Sequence, residues 1–214
     1  MARDYEQYCG LARGLDVVGE RWTLLIVREL LYGPRRFTDL EEGLPGIPPS
    51  LLSARLKELQ SAGLVTREIL PPPAGSTVYR LTDAGKELED VLYALARWGV
   101  RFGRRPRKSD AARPEWAVFA FHSLFRPEAA EGVHDVYELR LPKGTFRLMV
   151  DDGVLEVEGA SGSGADLVLT GDMTTVMFTL MGRLPAKEAV REGRLEVEGD
   201  PKTLDRLLKA FRLE

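Results

Sequence analysis

Proline–glycine breaks cut the first 63 residues into short helical segments, and that segmentation constrains the fold more than any other feature. Leu15 and Val18 lead into a run with Trp22, Leu25, Ile26 and Leu30 on one helical face, which Gly33-Pro34 stops. Thr38-Asp39-Leu40-Glu41 fits a capping box, so a short helix is expected to start there and to end near Gly43. Leu44-Pro45-Gly46-Ile47-Pro48 reads as a turn. Pro49 suits the first position of the next helix, whose apolar face is Leu52, Leu56 and Leu59 and which Gly63 closes. Two strand-like runs, Leu64 to Leu70 and Thr77 to Leu81, flank Pro71-Pro72-Pro73-Ala74-Gly75-Ser76, giving a hairpin with a stiff loop. Thr82-Asp83 then caps a long helix carrying Leu88, Val91, Leu92, Leu95 and Phe102.

Helix, helix, turn, helix, hairpin and long helix, in that order, are what a winged helix-turn-helix requires. Its second motif helix, about 49–62, enters the major groove, and the hairpin lies against the DNA backbone. The overall charge of −3 hides an asymmetry: residues 1–108 hold 17 basic and 14 acidic side chains, and residues 109–214 hold 13 and 19. Only the first half therefore has a balance suited to a polyanion.

Beyond a basic stretch at 104–113, read as a linker, the pattern becomes α+β. Trp116 to Phe125 is apolar and helical in character. Strands are expected at Val133 to Leu141, Thr145 to Val150, Val154 to Val157, Asp166 to Thr170 and Leu195 to Glu198, with short helices at 172–182, 185–192 and 201–211. Leu-Glu-Val-Glu-Gly occurs at both 155–159 and 195–199 and reads as two half-buried strands, since the flanks do not match. The expected domains are thus 1–103, the linker, and 114–214.

Specific residues add a resemblance. Asp16-Val17-Val18-Gly19-Glu20-Arg21-Trp22-Thr23-Leu24-Leu25-Ile26, Gly33-Pro34-Arg35-Arg36-Phe37, Leu44-Pro45-Gly46-Ile47, Leu52-Ser53-Ala54-Arg55-Leu56-Lys57-Glu58-Leu59, Ala62-Gly63-Leu64-Val65 and Tyr79-Arg80-Leu81-Thr82 resemble the HxlR family of bacterial regulators over residues 7–100. The resemblance implies DNA binding as a homodimer joined through the first helix and the long helix. Such a dimer fits a pseudo-palindromic double-stranded operator. On the reading helix Ser50, Ser53, Ala54 and Lys57 are free to meet DNA, with Lys57, Arg35 and Arg36 suited to phosphates. Arg55 is open between an intradomain ion pair and a backbone contact. The proline-rich wing tip carries no charge, which argues against a minor-groove contact there. Cys9 sits where relatives carry a cysteine, some of which sense oxidants; a helix N-terminus and nearby Arg13 would lower its pKa, and the alternative is a semi-buried residue with no redox role.

In the second half, Gly144-Thr145-Phe146-Arg147-Leu148, Ala165-Asp166-Leu167-Val168-Leu169-Thr170-Gly171-Asp172, Leu184-Pro185-Ala186 and the run from Ala189 to Pro201 resemble a sterol-carrier-protein type 2 lipid-binding domain. That resemblance implies an apolar tunnel for a fatty-acid, sterol-like or other apolar effector. Met173, Met177 and Met181 recur every four residues with Phe178 beside them, and with Trp116 and Phe119 they are the candidate pocket. Each fills an ordinary core equally well.

Other chemistry is not expected. Gly159-Ala160-Ser161-Gly162-Ser163-Gly164 is followed by a strand, so it offers phosphate no helix N-terminus and reads as a flexible loop. His122 and His134 are the only histidines and Cys9 the only cysteine, so no metal site or catalytic set is visible and neither an enzyme nor a cofactor is expected. A single cysteine argues for a reducing compartment. No apolar run nears the roughly 18 residues of a membrane span, and Met1 to Gly10 lacks the core of a signal peptide. A cytoplasmic regulator is expected. Its second domain is an effector site or, alternatively, a structural module; a third reading is a lipid- or partner-binding protein whose winged helix no longer reads DNA.

Overall fold

The computed structural model describes residues 4–71, 75–102, 115–159 and 162–213, of which residue 115 is described by backbone alone. The expected linker at 104–113 and wing residues 72–74 lie outside these. The chain divides into two compact units, Met1–Leu95 and Ala96–Glu214.

In the first unit α1 (Gly10–Val18) and α2 (Thr23–Leu30) are separated by a loop ending at Trp22. Trp22 was expected on the helical face of the following run. Instead it precedes α2 with φ +80°, a left-handed conformation that is strained for a bulky side chain, and Leu25 is exposed. Next come α3 (Phe37–Gly43) and α4 (Pro49–Ser61). The cap of α3 is not at Thr38: the Asp39 carboxylate accepts the Arg36 N–H at 2.9 Å, so the cap is at Arg36, two residues earlier. Gly63, at φ +74°, ends α4 and turns the chain into the hairpin β1 (Val65–Ile69) and β2 (Thr77–Leu81). Its register pairs Val65 with Leu81 and Ile69 with Thr77. The Thr82 hydroxyl accepts the Gly85 N–H at 3.1 Å and donates to the Gly63 carbonyl at 2.7 Å. The long helix is therefore capped as expected, but it is interrupted at Glu87 into α5 (Asp83–Lys86) and α6 (Leu88–Phe102).

Leu30, Leu40, Leu52, Leu56, Leu59, Val78 and Leu81 are all buried, so α2, α3, α4 and β2 each turn apolar side chains inward. Tyr32, just beyond α2, and Tyr93 of α6 place their hydroxyls 3.0 Å apart, and Tyr93 donates to Glu89 at 2.6 Å. Burial pushes the Tyr32 phenol up to about 12. This pair fixes α6 to the end of α2.

The second unit takes the last half of α6. There Arg97 donates to the Ser123 carbonyl at 2.9 Å, and Val100 packs on the second core while accepting from Arg183 at 2.8 Å. The division consequently falls inside α6, before the expected edge at 103. After α7 (Glu115–Leu124) and a single 3₁₀ turn come β3 (His134–Leu141), β4 (Gly144–Asp151), β5 (Val154–Glu158), β6 (Leu167–Gly171), α8 (Met173–Leu180), α9 (Ala186–Arg191), β7 (Leu195–Gly199) and α10 (Pro201–Phe211). The sheet order is β5-β4-β3-β6-β7, with β3 and β6 parallel and the other pairs antiparallel.

Strand alternation explains the burial. Tyr137, Leu139, Phe146, Leu148, Leu155, Leu167, Leu169 and Leu195 turn to one core with Phe121, Val176, Leu180, Leu207 and Phe211. The twin Leu-Glu-Val-Glu-Gly strands are the two sheet edges, β5 and β7, each with its glutamates exposed, a charge pattern that discourages edge pairing. The glycine-rich loop is less free than expected. Gly162 donates its N–H to Glu138 at 3.3 Å, and Arg147 donates to the Ser163 carbonyl at 3.0 Å.

Asp135 of β3 is 8% exposed and accepts from Arg206 of α10 at 2.6 and 2.8 Å and from Tyr137 at 2.8 Å. These donors, Arg206 above all, hold its carboxyl below the usual range. The stabilisation is therefore present above the unfolded carboxylate pKa of about 3.9 and is lost as pH falls through the lower folded value. Asp135→Asn is expected to cost about 2 kcal/mol at pH 7, since Arg206 is partly exposed and water compensates some of the loss. Urea melts at pH 7 and pH 3 check this: the gap between variant and wild type shrinks in acid, and an equal gap at both would refute the ionic account.

Candidate nucleic-acid interface

α3, a turn from Leu44 to Pro48 and α4 form the helix-turn-helix. Gly46, at φ +92°, makes the turn, and Leu44 and Ile47 bury against the core. Pro49 occupies the start of α4, where its missing N–H removes no helical bond. Leu52, Leu56 and Leu59 are each at most 1% exposed, which turns the opposite face outward. Ser50, Ser53, Ala54 and Lys57 are all exposed there. Two hydroxyls, a methyl group and one cation on a single helix suit base edges and phosphates in a major groove.

Arg36 is exposed at the start of α3. Arg35 is half-buried: its backbone pairs with Tyr79 at 2.9 and 2.7 Å, and its Nε lies 3.4 Å from the Glu29 carbonyl. It ties the α2–α3 loop to the wing and leaves less of its side chain for phosphate. Arg55 settles on the intradomain alternative. Its guanidinium, 13% exposed, binds Glu20 at 2.8 Å, Glu58 at 2.6 Å and the Arg21 carbonyl at 3.3 Å. These two ion pairs leave less of the Arg55 cation for a phosphate. Arg67 was missed. It is exposed on β1, while Arg80 on β2 is paired with Glu68 at 2.8 Å. Strand periodicity gives no signal for it, because Arg67 is two residues from buried Val65 and so shares its face in the alternation.

Two helices expose apolar side chains. α1 presents Leu11 and Leu15, and α6 presents Val91, Leu95, Trp98 and Phe102, the last two with ring centroids 4.7 Å apart. Cys9 immediately precedes α1 and is exposed. The backbone amides of Ala12 and then Leu11 pull its thiol below the usual value. Arg13 lies over the Tyr8 ring at 4.8 Å, so its guanidinium is engaged with that ring.

The six apolar candidates of the second unit do not share one setting. Met181 is buried in the core, and Met173, Met177 and Phe178 are partly exposed against it. Trp116 and Phe119 are half-exposed on α7, which packs on β5, whereas α8 packs on β6 three strands away. The Thr179 hydroxyl of α8 is buried without a hydrogen-bond partner among the described residues. Among those residues no group of three histidine, cysteine or acidic side chains is placed to hold a metal ion, and no helix is long and apolar enough to cross a membrane.

Known proteins resemble each unit separately. The family model described as HxlR-like helix-turn-helix matches residues 17–107, and a model for the alkyl sulfatase C-terminal region matches residues 125–213. An uncharacterized helix-turn-helix transcriptional regulator of Bacillus subtilis, YvaP, is 38% identical over 90 residues, which are 42% of this chain and 83% of that protein. A second such regulator, from Mycobacterium tuberculosis, is 44% identical over 96 residues, 45% of this chain and 60% of the relative, so the chain spans well under two thirds of its length. The solved structure of the reduced form of the B. subtilis regulator YodB is 31% identical and covers 47% of this chain and 100% of its own, with a TM-score of 0.41.

Proposed function

The chain belongs to the HxlR-like helix-turn-helix family, and on that premise we propose that it is a DNA-binding transcriptional regulator acting as a homodimer on a pseudo-palindromic operator. One observation carries the reading: α4 buries Leu52, Leu56 and Leu59 and turns Ser50, Ser53, Ala54 and Lys57 outward as one face. Arg36 and Arg67 add phosphate contacts that position the helix without reading sequence. The exposed stripes of α1 and α6 are the dimer contact. The site of action is the cytoplasm.

The second domain, 114–214 in the expected division, is assigned a sterol-carrier-like role of holding an apolar effector. Two features support it: the match to a region of enzymes named for alkyl sulfates, and the half-exposed Met173, Met177 and Phe178 on one helix. For such an effector to regulate, it must bind the DNA-competent and incompetent dimers with different affinity. A purely structural second domain predicts instead that no apolar ligand stabilises the protein. A second reading gives sensing to Cys9, favoured by its exposure and lowered pKa.

Fluorescence anisotropy tests the core proposal, comparing DNA from the protein's own upstream region with scrambled DNA across a salt series. Tighter binding to the native sequence, with a steep fall as salt rises, is expected. Ser53→Glu is expected to weaken it about 100-fold or more, since a carboxylate would face the DNA acceptors unpaired. Equal, weak binding to both DNAs, unchanged by Ser53→Glu, would replace this reading with a lipid- or partner-binding one. The same assay with added apolar compounds, and with an oxidant on wild type and Cys9→Ser, separates the two sensing sites.

A further inference from the structure

The second unit contains a cleft rich in positive charge. Arg97 and Arg101 from α6, Arg126 beyond α7 and Arg212 beyond α10 line a cavity of about 300 Å³, with Glu128 the one acidic side chain lining it among the described residues. Arg126 donates to Glu128 at 2.9 Å, and this contact holds the Glu128 carboxyl below the usual range. Arg97 is steadied by the Ser123 carbonyl, a neutral acceptor that leaves its charge intact. Among the described residues, no hydrogen bond or ion pair engages the side chain of Arg101 or Arg212. Leu124 and Phe125, both buried, form an apolar wall with Leu213.

Arg101 and Arg212, whose side chains no described residue pairs, repel one another unless an anion enters. Guanidinium also has a fixed fork of donors that matches carboxylate, sulfate and phosphate oxygens. At about 100° per residue, Arg97 and Arg101 lie roughly 90–130° around α6 from the stripe of Val91, Leu95, Trp98 and Phe102. Helix pairing through that stripe therefore leaves the cleft open. A volume of about 300 Å³ is at the lower end for small-molecule sites, which fits a medium-chain anion better than a sterol.

We propose that this cleft binds an amphipathic oxyanion, its head on Arg101 and Arg212 with Arg97 and Arg126 beside them, and its short apolar body against Leu124, Phe125 and Leu213. Its lining includes none of the α8 methionines, although the Leu213 N–H donates to the Met181 carbonyl at 3.4 Å, and the site stands whether or not the first unit reads DNA.

Isothermal titration of the full chain with octanoate and octyl sulfate, both below their micelle concentrations, tests it. Octanol and inorganic sulfate are the controls. Both amphiphilic anions are expected to bind about tenfold or more tightly than either control, because only they use head and wall together. Arg101→Gln with Arg212→Gln is expected to weaken the anions about tenfold and leave octanol unchanged. Glu128→Gln is expected to strengthen them several-fold, as it removes the one competing carboxylate. All three substituted side chains are exposed, and circular dichroism checks that the variants fold. Anion affinity unchanged in the double glutamine variant, octanol or sulfate binding as well as the amphiphiles, or no binding of either amphiphile would each overturn the proposal.

Discussion

Alanine at Gly85 is expected to destabilise the N-terminal unit by about 3 kcal/mol or more, lowering its melting temperature by at least about 12 °C. A Cβ built at Gly85 lies 2.2 Å from the Leu64 carbonyl oxygen and 3.1 Å from the Leu81 side chain. The oxygen cannot step aside. It accepts the Thr82 N–H at 3.0 Å, and the Thr82 hydroxyl is simultaneously bonded to Gly63 and Gly85. Relief would require pulling α5 off the first wing strand, opening the packing behind Val65 and Leu81. Gly14→Ala supplies the control of opposite sign, since nothing lies within 4 Å of its Cβ and the residue is inside α1. It is expected to raise stability by about 0.5–1 kcal/mol through helix propensity. Thermal melts of both variants decide the matter: a Gly85→Ala protein as stable as wild type would mean that the α5–wing contact is not fixed.

Why that junction was invisible in the sequence is instructive. Local chemistry was legible: Gly63 as a helix stop, Pro49 as a helix start, Thr82 as a cap, and α10 at 201–211 with its stripe of Leu207, Ala210 and Phe211. Each of these depends on residues within a turn or two of one another. Gly85 carries no local signal in its helical stretch, because its demand comes from Leu64, outside that helix. Arg55 behaved likewise. Its sequence context leaves an intradomain ion pair and a backbone contact both open, and only the fold brings Glu20 within 2.8 Å. Trp22 had the correct spacing for a helical face, yet packing of the α1–α2 loop placed it outside the helix in the left-handed region. Residue type and four-residue spacing group the six apolar candidates of the second unit, but neither reveals that α7 and α8 pack on strands at different parts of the sheet. The arginine cleft was unreadable for the same reason, since its four guanidiniums come from three separate stretches of chain.

Glutamates at Leu95 and Trp98 are expected to convert a dimer into a monomer of half the mass and to weaken operator binding by about 10²–10⁴-fold. Both side chains are exposed, at 46% and 59%, so the charges enter water in the isolated chain and leave its cores intact. In a dimer they would enter the stripe formed with Val91 and Phe102, where an unpaired carboxylate is costly. A contiguous apolar face of this kind on an exposed helix marks an interaction surface, and α1 exposes Leu11 and Leu15 in addition. The loss of affinity follows from linkage. With two α4 helices joined, binding of the second half-site is intramolecular and proceeds at a high effective concentration; a monomer gives up that advantage entirely. Sedimentation equilibrium and anisotropy on the same samples keep the two effects apart. A monomeric variant with reduced operator affinity and an unchanged far-ultraviolet spectrum supports the stripe as the dimer contact. A variant that remains dimeric would place the contact elsewhere, and a monomeric wild type would remove the dimer from the proposal.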